Sequence, residues 1–336
     1  SMVGFFGRLS YSYKGKYLFN SNIRRDGSSR FINNRWGTFP SASIGWRLSD
    51  ENFMSWAKPY LKDAKFRASW GVTGNQNIGD YSWRGAFLVG TIPGGDADGT
   101  VMNYLDNLGG KYTSISDYGF SWEECTTMDL GVDIGFFNNR IFLSTDFYQR
   151  VTDKLILDVK LPVTSGVYSA TNNAGKLTNT GYEFSLTTRN LVGKFKWTTD
   201  FNISTSKLIV NKLVSDSIKV GNNILIEGQD LQIFSYVREE YVDSMKGYVV
   251  LRDLNGDKKV TYGGGNADKN TVGSPLPKIY GGMNNTFSYK GFELSFFMQF
   301  VYGNKIYNAT RQTLEGLTIP SGQTLIVLIS PLYKPV

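Results

Sequence analysis

Three oxygen-bearing side chains alternate in the segment DLNGDKKVTYGG, where Asp253, Asn255 and Asp257 stand at every second position. This spacing is typical of calcium-binding loops, which wrap oxygen ligands around a hard cation. The segment departs from the EF-hand pattern at two places, since Lys258 stands where the sixth-position glycine belongs and Gly264 where the twelfth-position glutamate belongs. The pattern predicts a Ca²⁺ site at these three residues, and the alternative is a polar turn in a long loop between strands.

A second candidate site lies in the segment 75–122, which combines aromatic residues with glycine and aspartate. Aromatic rings with exposed faces can stack on sugar rings or pack on a partner protein. The residues that we expect to contact substrate are Tyr81, Trp83, Tyr104 and Trp122. The alternative is that these aromatic residues bury one another, because a long ordered loop needs packing of its own to hold its shape.

Residues suited to covalent catalysis are scarce. The chain has no histidine, which removes the commonest general base and metal ligand, and Cys125 is its one cysteine, which excludes an internal disulfide or a cysteine metal cluster. Adjacent carboxylates such as Glu239 and Glu240 point to opposite faces of a strand. The net charge is +7, but lysines and arginines are dispersed among acidic residues. We therefore predict neither an enzyme nor a nucleic-acid-binding protein.

The elements that must position these residues are β-strands. Aromatic residues make up 15% of the 336 residues, with 37 glycines and only 9 prolines, a composition that suits antiparallel sheets. Period-two alternation is clearest in MDLGVDIGFF, residues 128–137, which has one apolar and one polar face. We count about ten such strands, with a short helix expected within residues 49–63. No apolar run reaches the roughly 18 residues that a membrane-spanning helix needs, which excludes a helical membrane protein.

Short turns, such as Asn138-Asn139 and Lys290-Gly291, alternate with long loops along the chain. This asymmetry is typical of outer-membrane barrels, which have short periplasmic turns and long extracellular loops, and a soluble sandwich does not require it. The long loops are expected at roughly residues 26–38, 76–122, 155–175, 207–276 and 303 onward. The charged residues that would then face a wet barrel interior are Asp129, Asp133, Asp146, Glu183 and Arg189.

Several motifs occur in one order: RDGSSRF, NRWGTFPSASIGWRLSDENFM, KFRASWGVTGNQNIGDY, NTGYEFSL, and DLNGDKKVTY followed by VGSPLPKIYGGMNNTFSYKGFELSFFMQ. This series resembles the SusC/RagA family of TonB-dependent outer-membrane transporters, and the similarity extends to about Arg311. The fold class that the resemblance implies is all-β, a transmembrane antiparallel β-barrel of 22 strands with a plugged lumen. Residues 1–336 would form a partial barrel domain, the C-terminal part of a longer transporter whose plug domain and early strands lie outside this chain.

The resemblance also implies a function. Such a transporter imports a bulky nutrient, an oligosaccharide or a peptide, with energy delivered by TonB and with a SusD-like lipoprotein as its lid. The protein would lie in the cell outer membrane, in contact with membrane lipid and lipopolysaccharide. The alternatives are a TonB-dependent siderophore or vitamin receptor, a porin, and a soluble β-rich glycan-binding or adhesin protein. The segment SGQTLIVLISPLYKPV, residues 321–336, alternates poorly, and no register is predicted for it.

Overall fold

The computed structural model describes residues 1–89, 103–104, 107–108, 110–114, 119–167, 169–215, 217–220, 223–245, 249–258, 260, 269–308, 310, 317–318 and 324–325. The chain divides into two compact units. The first comprises Ser1–Ile218, Ile226–Asp230 and Lys278–Tyr302, and the second comprises Lys219–Leu225, Leu231–Pro277 and Gly303–Val336.

Regular structure in the described residues is almost entirely β-strand, as predicted. The strands are β1 Met2–Tyr13, β2 Tyr17–Ser28, β3 Trp36–Arg47, β4 Leu61–Asn75, β5 Ala86–Val89, β6 Asn103–Tyr104, β7 Asn107–Leu108, β8 Gly110–Ser114, β9 Glu123–Phe136, β10 Ile141–Lys160, β11 Ser169–Val192, β12 Phe195–Leu213, β13 Ser217–Val220, β14 Asn223–Ile226, β15 Ile233–Val237, β16 Glu239–Val242, β17 Val249–Leu251, β18 Lys269–Gly273, β19 Ile279–Tyr289, β20 Phe292–Tyr302, β21 Leu317–Thr318 and β22 Thr324–Leu325.

A ten-stranded antiparallel sheet dominates the first unit, in the order β1-β2-β3-β4-β9-β10-β11-β12-β19-β20. The order follows the chain, so each strand pairs with the one before and the one after it, as in the wall of an up-and-down barrel. β1 and β20 form the two ends of the sheet, and these two described strands do not pair with each other. The predicted count of ten strands is confirmed.

The two faces of this sheet differ in polarity. Residues directly opposite each other on neighbouring strands share a face, so Leu130 and its partner Phe147 lie on the apolar face, while the next residue, Gly131, lies opposite Arg67 on the polar face. On the apolar face Leu130 is 45% exposed and Phe292 is 81% exposed. The predicted alternation is confirmed, and the described residues leave large parts of its apolar face uncovered.

Four tight turns and the longer β3–β4 connection, residues 48–60, join the strands at one end of the sheet, which we call the short-turn end. The β9–β10 turn is longer than predicted, because it spans residues 137–140 and Phe137 also adopts the left-handed conformation, with φ of 51°. The turn predicted at Lys290-Gly291 is confirmed, because these two residues alone separate β19 from β20. The three tightest turns are residues 14–16 between β1 and β2, 193–194 between β11 and β12, and 290–291 between β19 and β20.

The connections at the opposite end, the long-loop end, are mostly shorter than predicted. The expected loop at 155–175 is reduced to residues 161–168, because β10 and β11 continue their pairing from Leu155 to Lys160 after a bulge near Lys154. Similarly, the loop expected at 26–38 begins only after Ser28. Sequence alternation weakens in these extensions, but backbone hydrogen bonds to neighbouring strands continue through polar residues.

Three short 3₁₀ helices lie in the described connections between strands. Leu48–Asp50 and Asn52–Ala57 lie between β3 and β4, where the short helix was expected, and Val163–Ser165 lies between β10 and β11. Among the described residues, no helix has the length and apolar character needed to cross a bilayer.

Glu51, in the β3–β4 connection, forms an ion pair with Lys16 in the β1–β2 turn. Its Oε2 lies 3.2 Å from Lys16 Nζ, and Trp46 Nε1 donates a hydrogen bond to its Oε1 at 3.1 Å. Hydrogen bonds from Tyr17, Trp46 and Lys16 lower the pKa of Glu51 below its usual value, although desolvation acts in the opposite direction. The charged form of Glu51 is therefore the one that this arrangement stabilises.

The remaining strands form small sheets. β13, β14, β15 and β18 form a four-stranded sheet, and β16 pairs with β17. In the long β4–β9 connection, β5 pairs with β8 and β6 with β7. Of the segment whose register was not predicted, the structure describes Thr324–Leu325, which pairs with Leu317–Thr318.

Candidate functional site

An ion-paired cluster lies on the polar face of the ten-stranded sheet. The guanidinium of Arg67, on β4, donates from Nε to Asp133 Oδ2 at 2.8 Å and from Nη2 to Asp133 Oδ1 at 2.9 Å. The same Nη2 lies 2.9 Å from Asp146 Oδ1, and Ser144 Oγ donates to Asp133 Oδ1 at 2.8 Å. The guanidinium thus links three adjacent strands, β4, β9 and β10, because it contacts the Asp133 carboxylate in a bidentate manner and the Asp146 carboxylate through one nitrogen.

A glycine makes this cluster sterically possible. Gly131 is the residue opposite both Arg67 and Asp146. A Cβ atom at Gly131 would lie 2.7 Å from Arg67 Cζ and would also collide with Asp146 Oδ1. The guanidinium therefore packs directly over bare backbone, and the absence of a side chain at position 131 is what lets Arg67 reach both carboxylates.

The register also places the polar-face charges that the sequence predicts. Asp129 and Asp133 share a face on β9, and Asp146 is paired with Glu183 on β11, so the four carboxylates lie on one side of the sheet. Arg189 lies on the same face of β11 as Glu183 by alternation, six residues along the strand. Arg67 and Ser144 were not among the sequence candidates, although Arg67 stands in the alternating segment KFRASW.

A cavity of about 920 Å³ with both polar and apolar lining residues lies between the ion-paired cluster and the long-loop end, and we call it the polar cleft after the charged side chains within it. Within it, Arg24 Nε lies 2.7 Å from Asp26 Oδ2, and the carboxylate is nearly buried while the arginine side chain is 53% exposed. The volume falls within the range of sites that hold small organic ligands. Its polar lining includes Arg8, Asn20, Asn22, Arg24, Asp26 and Thr127.

An aromatic cluster borders the polar cleft at the long-loop end. The ring of Trp122 packs against Phe31, with centroids 5.3 Å apart, and against Phe39, with centroids 5.4 Å apart. Trp122 Nε1 also donates to the carbonyl of Arg35 at 3.1 Å, and Trp122 is only 4% exposed. Trp83 packs against the same cluster. Both tryptophans are therefore engaged in packing, the alternative that the sequence left open for loop aromatics.

Tyr81 differs from these tryptophans because it is 67% exposed. The guanidinium of Arg84 lies 5.6 Å from the Tyr81 ring centroid and 5.0 Å from that of Trp83. A cation held near two rings stiffens this part of the loop and leaves much of Tyr81 accessible. Tyr104 belongs to β6, but its side chain lies outside the described residues.

The predicted calcium residues form one compact turn. Asp253 Oδ1 accepts a hydrogen bond from the Gly256 amide and Oδ2 accepts one from the Lys258 amide, each at 2.7 Å. Asn255 Oδ1 accepts from the Asp257 amide at 3.0 Å, and Asn255 Nδ2 donates to Asp257 Oδ2 at 3.1 Å. The turn is thus closed by its own backbone and side chains.

The backbone of this turn keeps the conformation of a calcium loop at the sixth position although a lysine stands there. Lys258 adopts φ of 64°, the left-handed conformation for which calcium loops normally use glycine. Among the described residues, no group of three or more histidine, cysteine, aspartate or glutamate side chains is placed to hold a metal ion. Any cation bound here would therefore depend on Asn255 and on carbonyl oxygens as well as on the two aspartates.

A ten-stranded antiparallel sheet with an uncovered apolar face and an ion-paired polar face has the construction of a transmembrane β-barrel wall. The model of the family described as TonB dependent receptor-like, beta-barrel matches residues 1–321. The chain belongs to this family, whose members are receptors and transporters rather than enzymes.

Two curated relatives support this assignment. The chain is 33% identical over 362 residues to TonB-dependent receptor P3 of Formosa agariphila, covering 98% of this chain and 34% of the relative. It is also 33% identical over 334 residues to TonB-dependent receptor SusC of Bacteroides thetaiotaomicron, covering 91% of this chain and 32% of the relative. The chain thus spans about a third of the length of the curated relatives it matches.

The solved structure of the RagAB peptide transporter has the same fold. It superposes with a TM-score of 0.75 at 25% sequence identity, covering 89% of this chain and 33% of the matched chain. With the SusC match, this confirms the resemblance to SusC/RagA transporters that the ordered motifs indicate, and it confirms the all-β barrel fold class.

Proposed function

We propose that this chain is part of the barrel of an outer-membrane transporter that imports an oligosaccharide or a peptide with energy from TonB. The observation that carries the proposal is the two-faced sheet, in which exposed Leu130 and Phe292 lie on one face while Arg67 and its carboxylates lie on the other. Lipid stabilises an exposed apolar face, and charged groups need a wet lumen. The similarity to SusC and to RagAB supports glycan or peptide import.

Each region has a distinct role in this proposal. The apolar face contacts membrane lipid and lipopolysaccharide, and the polar face lines the path that the nutrient follows. The short-turn end lies on the periplasmic side, where TonB acts through a part of the transporter outside this chain. The long-loop end lies outside the cell, where a SusD-like lipoprotein forms the lid. The chain itself performs no covalent step.

Substrate first meets the long-loop end and the polar cleft. Arg24 and Asp26 offer the paired donors and acceptors that sugar hydroxyls or peptide groups bind. The exposed ring of Tyr81 is the candidate for stacking on substrate. Trp83, Tyr104 and Trp122 complete the proposed group, with Trp122 supporting the loop from the buried side.

We further propose that the Asp253 turn takes up Ca²⁺. Asp253, Asn255 and Asp257 would supply oxygen ligands, and the cation would stiffen the turn between β17 and β18. The compactness of the turn, in which Asp253 accepts from two backbone amides and Asn255 donates to Asp257, supports this proposal.

A TonB-dependent siderophore or vitamin receptor and a soluble glycan-binding or adhesin protein are the competing functions. The siderophore or vitamin receptor would need no lipoprotein lid, and the soluble protein would fractionate without detergent. These two properties separate all three functions whatever the substrate is.

The decisive experiment is purification of the full-length protein that contains this chain from native membranes. We expect it in the detergent-solubilised outer-membrane fraction together with a stoichiometric surface lipoprotein. A strain that lacks the gene should then lose growth on one class of glycan or peptide. Recovery in the soluble fraction would contradict the membrane location, and recovery without a lipoprotein, with growth impaired only under iron or vitamin limitation, would favour the receptor alternative.

A further inference from the structure

Lysine occupies unusual backbone positions in two hairpin turns at the short-turn end. Lys14 has φ of 52° and Lys290 has φ of 46°, and each is followed by a glycine with positive φ. Tight hairpin turns with two left-handed residues favour asparagine or glycine at the first position, because a longer side chain is strained there. Strained backbone often marks a functional requirement, so the ammonium groups at these two positions call for an explanation.

The other connections at the short-turn end also carry basic residues. Lys58 lies in the β3–β4 connection and Lys194 in the β11–β12 turn, and both are exposed, as are Lys14 and Lys290. None of these four lysines forms an ion pair with a described residue. The fifth connection contains Arg140, whose guanidinium donates to two backbone carbonyls.

Acidic residues do little to offset this charge. In the five connections at the short-turn end, residues 14–16, 48–60, 137–140, 193–194 and 290–291, the sequence has six basic residues and two acidic ones. One of the two, Glu51, is already engaged by Lys16 and Trp46, which leaves Asp50. The short-turn end is therefore a cationic surface.

Aromatic rings lie directly beside these lysines. Lys14 Nζ lies 5.2 Å from the ring centroid of Tyr13, and Lys290 Nζ lies 5.3 Å from that of Tyr289. Phe195, which follows Lys194, lies 6.5 Å from Tyr289 between ring centroids. Tyrosine and other aromatic rings favour the depth of lipid headgroups, and lysine side chains next to them extend toward the phosphate layer.

We propose that the short-turn end binds anionic phospholipid headgroups through a layer of lysines, Lys14, Lys58, Lys194 and Lys290, set just beyond the aromatic residues. This proposal rests on the membrane location proposed above. The occupant is a lipid rather than an acidic protein, because the lysines continue directly from the apolar face that lipid chains would cover. Trp56, in the same connection as Lys58, is 74% exposed, as suits an aromatic ring at the depth of lipid headgroups.

Lipid retention by the full-length protein tests the proposal. The protein is inserted into nanodiscs of phosphatidylcholine with increasing phosphatidylglycerol, and lipids that remain bound after transfer to detergent are counted by native mass spectrometry. We expect retained phosphatidylglycerol to exceed phosphatidylcholine at equal supply. The variant Lys14→Gln/Lys194→Gln/Lys290→Gln should lose most of this preference, since each lysine near an anionic surface contributes about fivefold in binding.

A matched variant controls for net charge. Lys207→Gln/Lys212→Gln/Lys278→Gln removes three exposed lysines from the long-loop end of the sheet, none of which forms an ion pair with a described residue. Its phosphatidylglycerol retention should equal that of the unmodified protein. Equal retention of both lipids, or equal loss of preference in both variants, would overturn the lipid site. Failure to enter any nanodisc would instead contradict the membrane location. Displacement of phosphatidylglycerol by millimolar inorganic phosphate would show that free phosphate, not lipid, is the ligand.

Discussion

The guanidinium of Arg67 packs over the backbone of Gly131, its pairing partner on the neighbouring strand and on the same polar face of the sheet. Arginine needs space on both sides to contact two carboxylates, and the missing side chain at position 131 supplies it. The same glycine lies opposite Asp146, so one residue without a Cβ accommodates both members of an ion pair. The missing side chain at Gly131 thus allows Arg67 to lie directly against the sheet.

Substitution of Gly131 tests this steric relationship directly. Gly131→Ala should push Arg67 away from Asp146 and lower the free energy of unfolding by roughly 1–3 kcal/mol, the usual range for overpacking. The measurement is urea unfolding of the full-length protein in lipid vesicles. Gly45→Ala is the control, because a Cβ there would meet neighbours at an ordinary 3.5 Å. Equal stability of the two variants would show that Arg67 is free to relax without cost.

A charge on the apolar face distinguishes a membrane wall from a soluble sheet. Leu130→Arg should destabilise the inserted protein by roughly 2–4 kcal/mol, as arginine does near the bilayer midplane of a barrel. Ser69→Arg places the same residue on the polar face opposite Asp129 and should be tolerated. The readout is the folded fraction after insertion into vesicles. If both variants insert equally well, the apolar face does not contact lipid.

The sequence predicts the strands well because their alternation is enforced by two different environments. In β9 each apolar residue faces outward and each aspartate or glycine faces inward, so residues 128–137 carry the pattern without help from neighbours. The limits of β10 and β11 are less predictable. The polar residues Asn172 and Asn173 of β11 remain part of the sheet because their backbone pairs with Leu157 and Ile156 of β10.

The sites are harder to predict than the strands, since they depend on pairing register. Nothing in the sequence connects Arg67 to Asp133, which is 66 positions away, because the two residues meet only through the β4–β9 pairing. Trp122 looks like an exposed loop aromatic in the sequence, but it is buried against Phe31 and Phe39, which come from a different connection and strand. The composition of the loop indicates that aromatic rings pack together, but it does not indicate which ring stays exposed to solvent.

Glu51 gives a pH-dependent prediction. Its folded-state pKa is lowered, so its contribution to stability is present above the unfolded pKa and is lost as the pH falls through the folded pKa. The unmodified protein should therefore exceed Glu51→Gln in stability at neutral pH, and the difference should shrink on acidification below about pH 4, near the unfolded value for glutamate. Urea unfolding at several pH values measures this. A difference that does not change with pH would assign the effect to packing rather than to charge.

Two loop aromatics should respond differently to truncation. Trp122→Ala removes a buried ring and should lower stability by about 3–5 kcal/mol. Tyr81→Ala removes an exposed ring and its contact with Arg84, so it should lower stability by no more than about 1 kcal/mol. It should weaken substrate binding several-fold, in keeping with the loss of one stacking contact. Thermal unfolding and uptake of labelled glycan or peptide by cells separate the two effects. Unchanged uptake in the Tyr81 variant would remove that residue from the substrate-binding group.

Calcium uptake by the Asp253 turn has a simple calorimetric test. Titration of the full-length protein with Ca²⁺ should show weak binding, with a dissociation constant of about 10⁻⁴–10⁻³ M, since the turn lacks a bidentate glutamate at the twelfth position. Asp257→Ala should abolish the heat of binding, because it removes one of the two carboxylates of the turn. Asp50→Ala, which removes an exposed carboxylate from the short-turn end, is the control and should bind as before. Equal heats from both variants would identify the segment as a polar turn closed by its own hydrogen bonds, in which Asp253 already accepts two backbone amides.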